Sequence, residues 1–181
     1  MFYMFCADGV EETEALATLD ILRRASIPCR TVSLCDRTVL GAHGINFEAD
    51  QDGDEFLAFS ENVEGIILPG GPAVESTLIY SGIVADAVEK AYKQKKLIAA
   101  ICAAPSVLGR MGLLKGVRAT CFPGFEEHLK GAVLAEECVV CDGNIITARS
   151  MAHAVDFGLA IVEAVKGKEK AEEIRKAVYC R

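Results

Sequence analysis

Short runs that are apolar from end to end alternate in this chain with longer stretches whose apolar residues recur at helical spacing. FYMFC (2–6), VEGIILPGG (63–71) and LIAAI (97–101) are runs of the first kind. A strand with one face in water carries polar residues at every second position, so an unbroken run has to be covered on both faces. Between the runs, a helix predicted from Glu12 to Ser26 carries a stripe of Leu16 or Ala15 with Leu19 and Leu22. A second, from Gly82 to Lys95, carries Ile83, Ala87, Val88 and Ala91 on one face. Strands buried on both sides and separated by helices predict a mainly parallel sheet between helical layers, the α/β class. The 181 residues, 51% hydrophobic and 25% charged, suit one such domain spanning 1–181.

The remaining segments fit around that frame. CRTVSLC (29–35) reads as a strand, and TVLGAHGINFE (38–48), with glycines between short alternating runs, as a hairpin. AAPSVLGRMG begins a helix that ends near Gly112. GVRATC (116–121) follows, then PGFEEHLKG (123–131), which reads as a short helix. ECVVC (137–141) and NIITA (144–148) flank Asp142-Gly143, a dipeptide of the kind that closes a hairpin. Residues 153–166 and 168–179 read as helices, with Gly167 as the cap between them. The chain contains no linker, repeat or low-complexity tract.

Several function classes are disfavoured at this level. The formal net charge is −7 and no lysine/arginine block interrupts it, which argues against nucleic acid and against an anionic membrane surface as partners. The start, MFYMFCADGVEE, has no basic lead and too short an apolar run for an export signal or a membrane span. The expectation is a cytoplasmic protein whose eight cysteines are thiols, most of them packing residues. Cys138 and Cys141 have C-x-x-C spacing, but on a strand they are expected to face opposite ways, which disfavours a shared metal. His43, His128 and His153 are not spaced as a metal set; His43 reads as a solvated loop residue at a pocket rim, and His153 as a helix start. LPGGPA lacks the lysine of a phosphate loop, and no G-x-G-x-x-G occurs. Neither a metal nor a nucleotide cofactor is expected.

LIAAICAAPSVLG places Cys102 where an apolar strand gives way to a helical pattern. Ligands of open parallel sheets sit beyond the carboxyl ends of the strands, and a sharp strand-to-helix turn exposes a side chain there, as in a nucleophile elbow. Ala103 and Ala104 are small enough for such a turn, and Pro105 suits the first turn of a helix. A free thiol of pKa about 8.5 is only ~3% thiolate at pH 7. A helix dipole of about 0.3–1 kcal/mol lowers that pKa by less than roughly one unit. A neutral carboxyl donating to the sulfur adds about 1.5–3 kcal/mol. Glu11, Glu12 and Glu14, in the first strand–helix turn, are the candidates, and periodicity does not choose among them. For Glu11 and Glu12 the plainer role is to complement a helix dipole. Cys121, near the same sheet edge, reads as a packing residue with a resolving thiol as the alternative.

GVEETEAL, ILPGG, AAICAAP and TARS, in that order and followed by a C-terminal helix pair, resemble the ThiJ/PfpI superfamily. Within it they resemble the branch of the Parkinson-disease-associated deglycase and the YajL-like proteins. LDILRRASI and DFGLAIVEAVKGKEKAEEI extend the likeness over nearly the whole chain. The resemblance implies a flavodoxin-like three-layer sandwich, similar to class I glutamine amidotransferases, and a homodimer. It implies Cys102 as the reactive cysteine and selects Glu14 as the glutamate that hydrogen-bonds it in protonated form. It assigns the backbone N–H groups of Gly71 and Ala103 to an oxyanion pocket. The implied activities need no cofactor: conversion of methylglyoxal or glyoxal to the hydroxy acid, or removal of early glyoxal adducts from glycated protein. Protease-like members carry histidine after the cysteine, where this chain has Ala103, so a peptidase lacks its base. Some members of the branch carry a histidine where this chain has Phe122. The alternatives are a redox sensor or chaperone acting through oxidation of Cys102 in oxidative stress, and another hydrolase or hydratase on the same scaffold.

Overall fold

The apolar runs form the inner strands of one sheet in the computed structural model, which describes residues 1–59 and 62–180. In chain order the elements are β1 (Phe2–Cys6), α1 (Glu12–Arg24), β2 (Cys29–Ser33), β3 (Thr38–Leu40), β4 (Asn46–Glu48), β5 (Gln51–Asp52), α2 (Gly53–Phe59) and β6 (Gly65–Leu68). Then come α3 (Ala73–Ser76), α4 (Gly82–Lys93), β7 (Leu97–Ile101), α5 (Pro105–Arg110), β8 (Arg118–Ala119), β9 (Val133–Leu134), β10 (Val139–Asp142), β11 (Ile145–Ala148), α6 (Ala154–Lys166) and α7 (Lys168–Ala177). The seven-stranded sheet has the order β10-β11-β7-β6-β1-β2-β5 and is parallel except where β10 pairs with β11. Helices α1 and α6 pack on each other, α6 lies on β7, β10 and β11, and α4 covers β6 and β7. The result is the α/β sandwich expected from the alternation.

Burial accounts for the central strands. Met4, Phe5 and Cys6 of β1, Ile66 to Leu68 of β6 and Ile98 to Ile101 of β7 have no accessible surface. Each large side chain so buried contributes about 1.5–3 kcal/mol. The rings of Tyr3 and Phe5, two residues apart and hence on one face, both meet Phe56 of α2 at 5.0 Å. Register fixes where the strands stop. Met4 pairs with Ile67, and Leu68 with Ala100, so β1, β6 and β7 end together at one edge of the sheet.

The structure departs from the sequence reading in several places. β5 and α2, over 51–59, were not anticipated. GVRATC contributes only the two residues of β8, which pair with β9 outside the main sheet. PGFEEHLKG holds a single 3-10 turn, Glu126–His128. Asp142 pairs with Ile145, so the hairpin turn is Gly143-Asn144, one residue later than expected, with Gly143 at φ 59°. Only Cys6, Cys29 and Cys121 of the eight cysteines are buried; Cys35, Cys138 and Cys141 are exposed. No described helix is long and apolar enough to cross a membrane.

Candidate active site

At the common edge of β1, β6 and β7, three chain segments converge. Cys102 follows β7 directly and has φ 65°. A non-glycine residue held in the left-handed region stores ~1–3 kcal/mol, and the surroundings have to fix it there. Two backbone bonds do so: the Cys102 N–H donates to Ala148 O at 2.9 Å, and Cys102 O accepts from the Phe122 N–H at 2.8 Å. The sharp turn is therefore present, but the helix expected to follow it differs. Helix α5 has six residues and starts only at Pro105. The donors beside the sulfur are instead the Ala103 and Gly71 N–H groups, both of which favour the thiolate.

Gly70 and Gly71 end β6 against this turn. A Cβ on Gly70 would stand 2.5 Å from Cys102 Cβ, 2.6 Å from Glu14 Oε2 and 3.0 Å from Cys102 Sγ. The thiol and the Glu14 carboxyl thus crowd one point that only glycine leaves open. Gly71, at φ 92°, packs so closely on Glu11 N and Gly9 O that a Cβ would lie 2.4 and 2.5 Å from them. Its positive φ and that contact both require glycine.

The three glutamates of GVEETEAL take three separate tasks. Glu11 is the N-cap of α1, its Oε2 accepting the Glu14 N–H at 2.6 Å. Glu12, 2% exposed, faces the 41–45 loop: Oε1 accepts the His43 N–H at 2.8 Å, and Oε2 lies 3.1 Å from His43 Nδ1. Burial opposes the charge on Glu12, yet the N–H groups of Glu12, His43 and Ile45 and the imidazole outweigh it and hold its pKa down to about 2. Glu14, 1% exposed, is the one turned to Cys102. Its Oε2 accepts the Gly70 N–H at 2.7 Å, while Oε1 is buried with no hydrogen-bond partner.

That orphaned oxygen suits a protonated carboxyl. A buried carboxylate with an unpaired oxygen is costly, whereas a carboxylic acid carries an O–H that can donate to the sulfur beside it. Burial accordingly raises Glu14 to about 7, the Gly70 N–H and the Cys102 thiol pulling down and Glu11 pushing up. Burial pushes the Cys102 thiol up to about 12, and the charge of an ionised Glu14 adds to that rise. With the proton on Glu14 the repulsion is gone, and the O–H joins the two N–H groups in favouring thiolate.

The other candidates have partners of their own, and Phe122 meets Cys102 through its backbone N–H. Buried Cys121 borders, with exposed Glu126 and half-buried Arg149, a cavity of about 220 Å³; burial and Glu126 push its thiol up to about 11, against Arg149. Phe122 is 43% exposed. His153 Nδ1 is 3.2 Å from Ser150 Oγ, and His128 Nε2 is 3.7 Å from Glu127. Cys138 precedes β10 and, with Cys141, borders one cavity of about 510 Å³ rather than two separate faces. Among the described residues, Glu11, Glu12 and His43 are the one set of three that brings metal-ligand atoms together. The sequence reading missed the Glu12–His43 contact because it joins the first turn of α1 to the distant β3–β4 loop.

Known proteins bear out the likeness read from the motifs. The model of the DJ-1/PfpI family matches residues 2–164. Protein dj-1beta of Drosophila melanogaster is 34% identical over 178 residues, covering 95% of this chain and 92% of that protein. The Parkinson disease protein 7 homolog of Danio rerio is 31% identical over 93% of this chain and 91% of its own. The crystal structure of Drosophila DJ-1beta superposes with a TM-score of 0.93 over 99% of this chain and 97% of that one. An oxidized DJ-1 of Toxoplasma gondii has the same TM-score at 29% identity, over 98% of this chain and 97% of that one.

Proposed function

Since the chain belongs to the DJ-1/PfpI family, we propose that it is a cofactor-free, Cys102-dependent enzyme acting on small reactive carbonyls or their early protein adducts. The observation that carries this reading is the buried Glu14 carboxyl, one oxygen unpartnered, against a cysteine that two backbone N–H groups face. The Cys102 sulfur attacks the aldehyde carbon of methylglyoxal or glyoxal to form a hemithioacetal. The developing oxyanion takes the N–H groups of Gly71 and Ala103. Glu14 moves the proton from the former aldehyde carbon to its neighbour during rearrangement. Hydrolysis of the resulting thioester yields the hydroxy acid.

The test is steady-state lactate formation from methylglyoxal. Cys102→Ser is expected to abolish it while the circular dichroism spectrum stays native. Turnover retained in that variant would end the mechanism. A second reading draws on the same N–H donors, which also suit a sulfinate on Cys102, and on the oxidized state of the Toxoplasma relative. Ready oxidation of Cys102 by peroxide, without Cys102-dependent lactate, favours that redox sensor.

A further inference from the structure

Two buried carboxylates at the start of α1 have no role in the cysteine chemistry. Glu12 is 2% exposed and Glu11 9%, next to each other in the chain. Among the described residues no lysine or arginine pairs with either. The basic group that meets them both is the imidazole of His43, from the loop between β3 and β4. His43 Nδ1 lies 3.1 Å from Glu12 Oε2 and 3.8 Å from Glu11 Oε1. One ligand atom from each of the three residues lies within 4.8 Å of the other two.

Each carboxylate is held by one oxygen and offers the other. Glu11 Oε2 accepts the Glu14 N–H at 2.6 Å, which leaves Oε1 toward His43. Glu12 Oε1 accepts the N–H groups of His43 at 2.8 Å and Ile45 at 3.4 Å, which leaves Oε2. Hydrogen bonds of this kind, behind the ligating atoms, orient the ligands of metal sites. The loop has its own anchors: the Ala42 N–H donates to Val10 O at 2.8 Å, and Gly41 bridges to Val10. Gly41 closes on the Glu12 carboxyl so tightly that a Cβ would stand 2.8 Å from Oε1.

The spacing is that of a small cation's ligand shell. Zinc–nitrogen and zinc–oxygen bonds of about 2.0–2.2 Å put tetrahedral neighbours roughly 3.3–3.6 Å apart. The separations of 3.1 and 3.8 Å fall on either side of that span. One imidazole with two carboxylates suits Zn²⁺, whereas Ca²⁺ and Mg²⁺ take oxygen ligands and softer ions take thiolates. The His43 side chain, 70% exposed, leaves one side of the set open for water as the fourth ligand. Spacing along the chain does not reveal this set, because 31 residues separate Glu12 from His43.

We propose that Glu11, Glu12 and His43 form a zinc site that clamps the β3–β4 loop onto the first turn of α1. When Zn²⁺ binds, neutral His43 carries its proton on Nε2 and gives the Nδ1 lone pair to the cation, while the two carboxylates supply the charge. Zinc takes no step in the carbonyl chemistry of Cys102.

The test is binding of Zn²⁺ and Co²⁺ to the full chain, with affinity read by competition against a chromophoric chelator. The native protein is expected to hold one Zn²⁺ per chain here. Its Co²⁺ form should show tetrahedral visible bands without the near-ultraviolet band of a thiolate ligand. His43→Ala and Glu12→Gln are each expected to weaken binding by at least about 10-fold, the loss that removing even an outer partner of a metal site causes. Because the His43 side chain is exposed, His43→Ala should keep the native circular dichroism spectrum. Zn²⁺ should also slow amide hydrogen exchange over 41–45 in the native protein and not in His43→Ala. Absence of saturable binding, equal affinity in His43→Ala and the native protein, or a tight site whose Co²⁺ form carries the thiolate band overturns the proposal.

Discussion

Glu11, Glu12 and Glu14 share charge, length and helix, yet they cap a helix, hold a loop and face a thiol, because each step along a helix turns a side chain by about 100°. Glu14 bears the consequence. Its folded pKa of about 7 exceeds the ordinary value of 4.5, so the folded state holds this proton more tightly than the unfolded chain. The stability this contributes is complete below pH 4.5 and is lost as pH rises through about 7, on the order of 3 kcal/mol in all. Glu14→Gln keeps an acceptor for the Gly70 N–H and cannot titrate. Urea unfolding at pH 5 and pH 8 should therefore show native stability declining relative to this variant by about that amount. Cys102 alkylation by iodoacetamide should show an inflection near pH 7 in the native protein and none in the variant. A pH-independent difference in stability, or the same inflection in both, refutes the pairing. The sequence left Glu14 one of three candidates until the family likeness selected it, since a helical repeat says which residues share a face but not what that face meets.

At the scale of elements, the end of β6 does for the site what the glutamates do for its charge. Gly70 has no positive φ, so alanine fits its backbone, and the only objection is the 2.5–3.0 Å approach of the new Cβ to Cys102 and to Glu14 Oε2. Gly70→Ala should therefore fold, lose about 1–3 kcal/mol to overpacking, and part the thiol from the carboxyl. The expected readout is a lowered thermal midpoint with at least a tenfold drop in Cys102-dependent turnover; native turnover would show that the two side chains need not touch. The inner strands and long helices of this edge were legible because full burial leaves an unbroken apolar run and half burial leaves a stripe. β5, β8 and β9 were not, since two-residue strands are too short to show any period. The short α5 was overextended past Arg110 because apolar Met111 and Leu113 continue its pattern while Gly112, at φ 74°, does not.

For the whole molecule, the family likeness implies a homodimer, and exposed apolar side chains on the β3–β4 hairpin and on β9 are candidate surfaces for it. Leu40 and Ile45, on the β3–β4 hairpin, are 50% and 56% exposed; Val133 and Leu134, of β9, are 53% and 54% exposed. The hairpin is the better candidate. The loop joining its strands is the one that the Glu12–His43 contacts tie to the start of α1, the helix that carries Glu14, so an interface there would steady that helix start as well as cover apolar surface. Two copies each carrying −7 repel one another, and salt screens that repulsion. Sedimentation equilibrium is expected to give twice the 19.4 kDa of one chain, with association strengthened as salt is raised. The paired substitution Leu40→Asp with Ile45→Asp should yield a monomer with weakened turnover, whereas Val133→Asp with Leu134→Asp should leave the dimer intact. A native protein that sediments as a monomer removes the dimer, and the reverse pattern of variants moves the interface to β9 and uncouples it from Cys102.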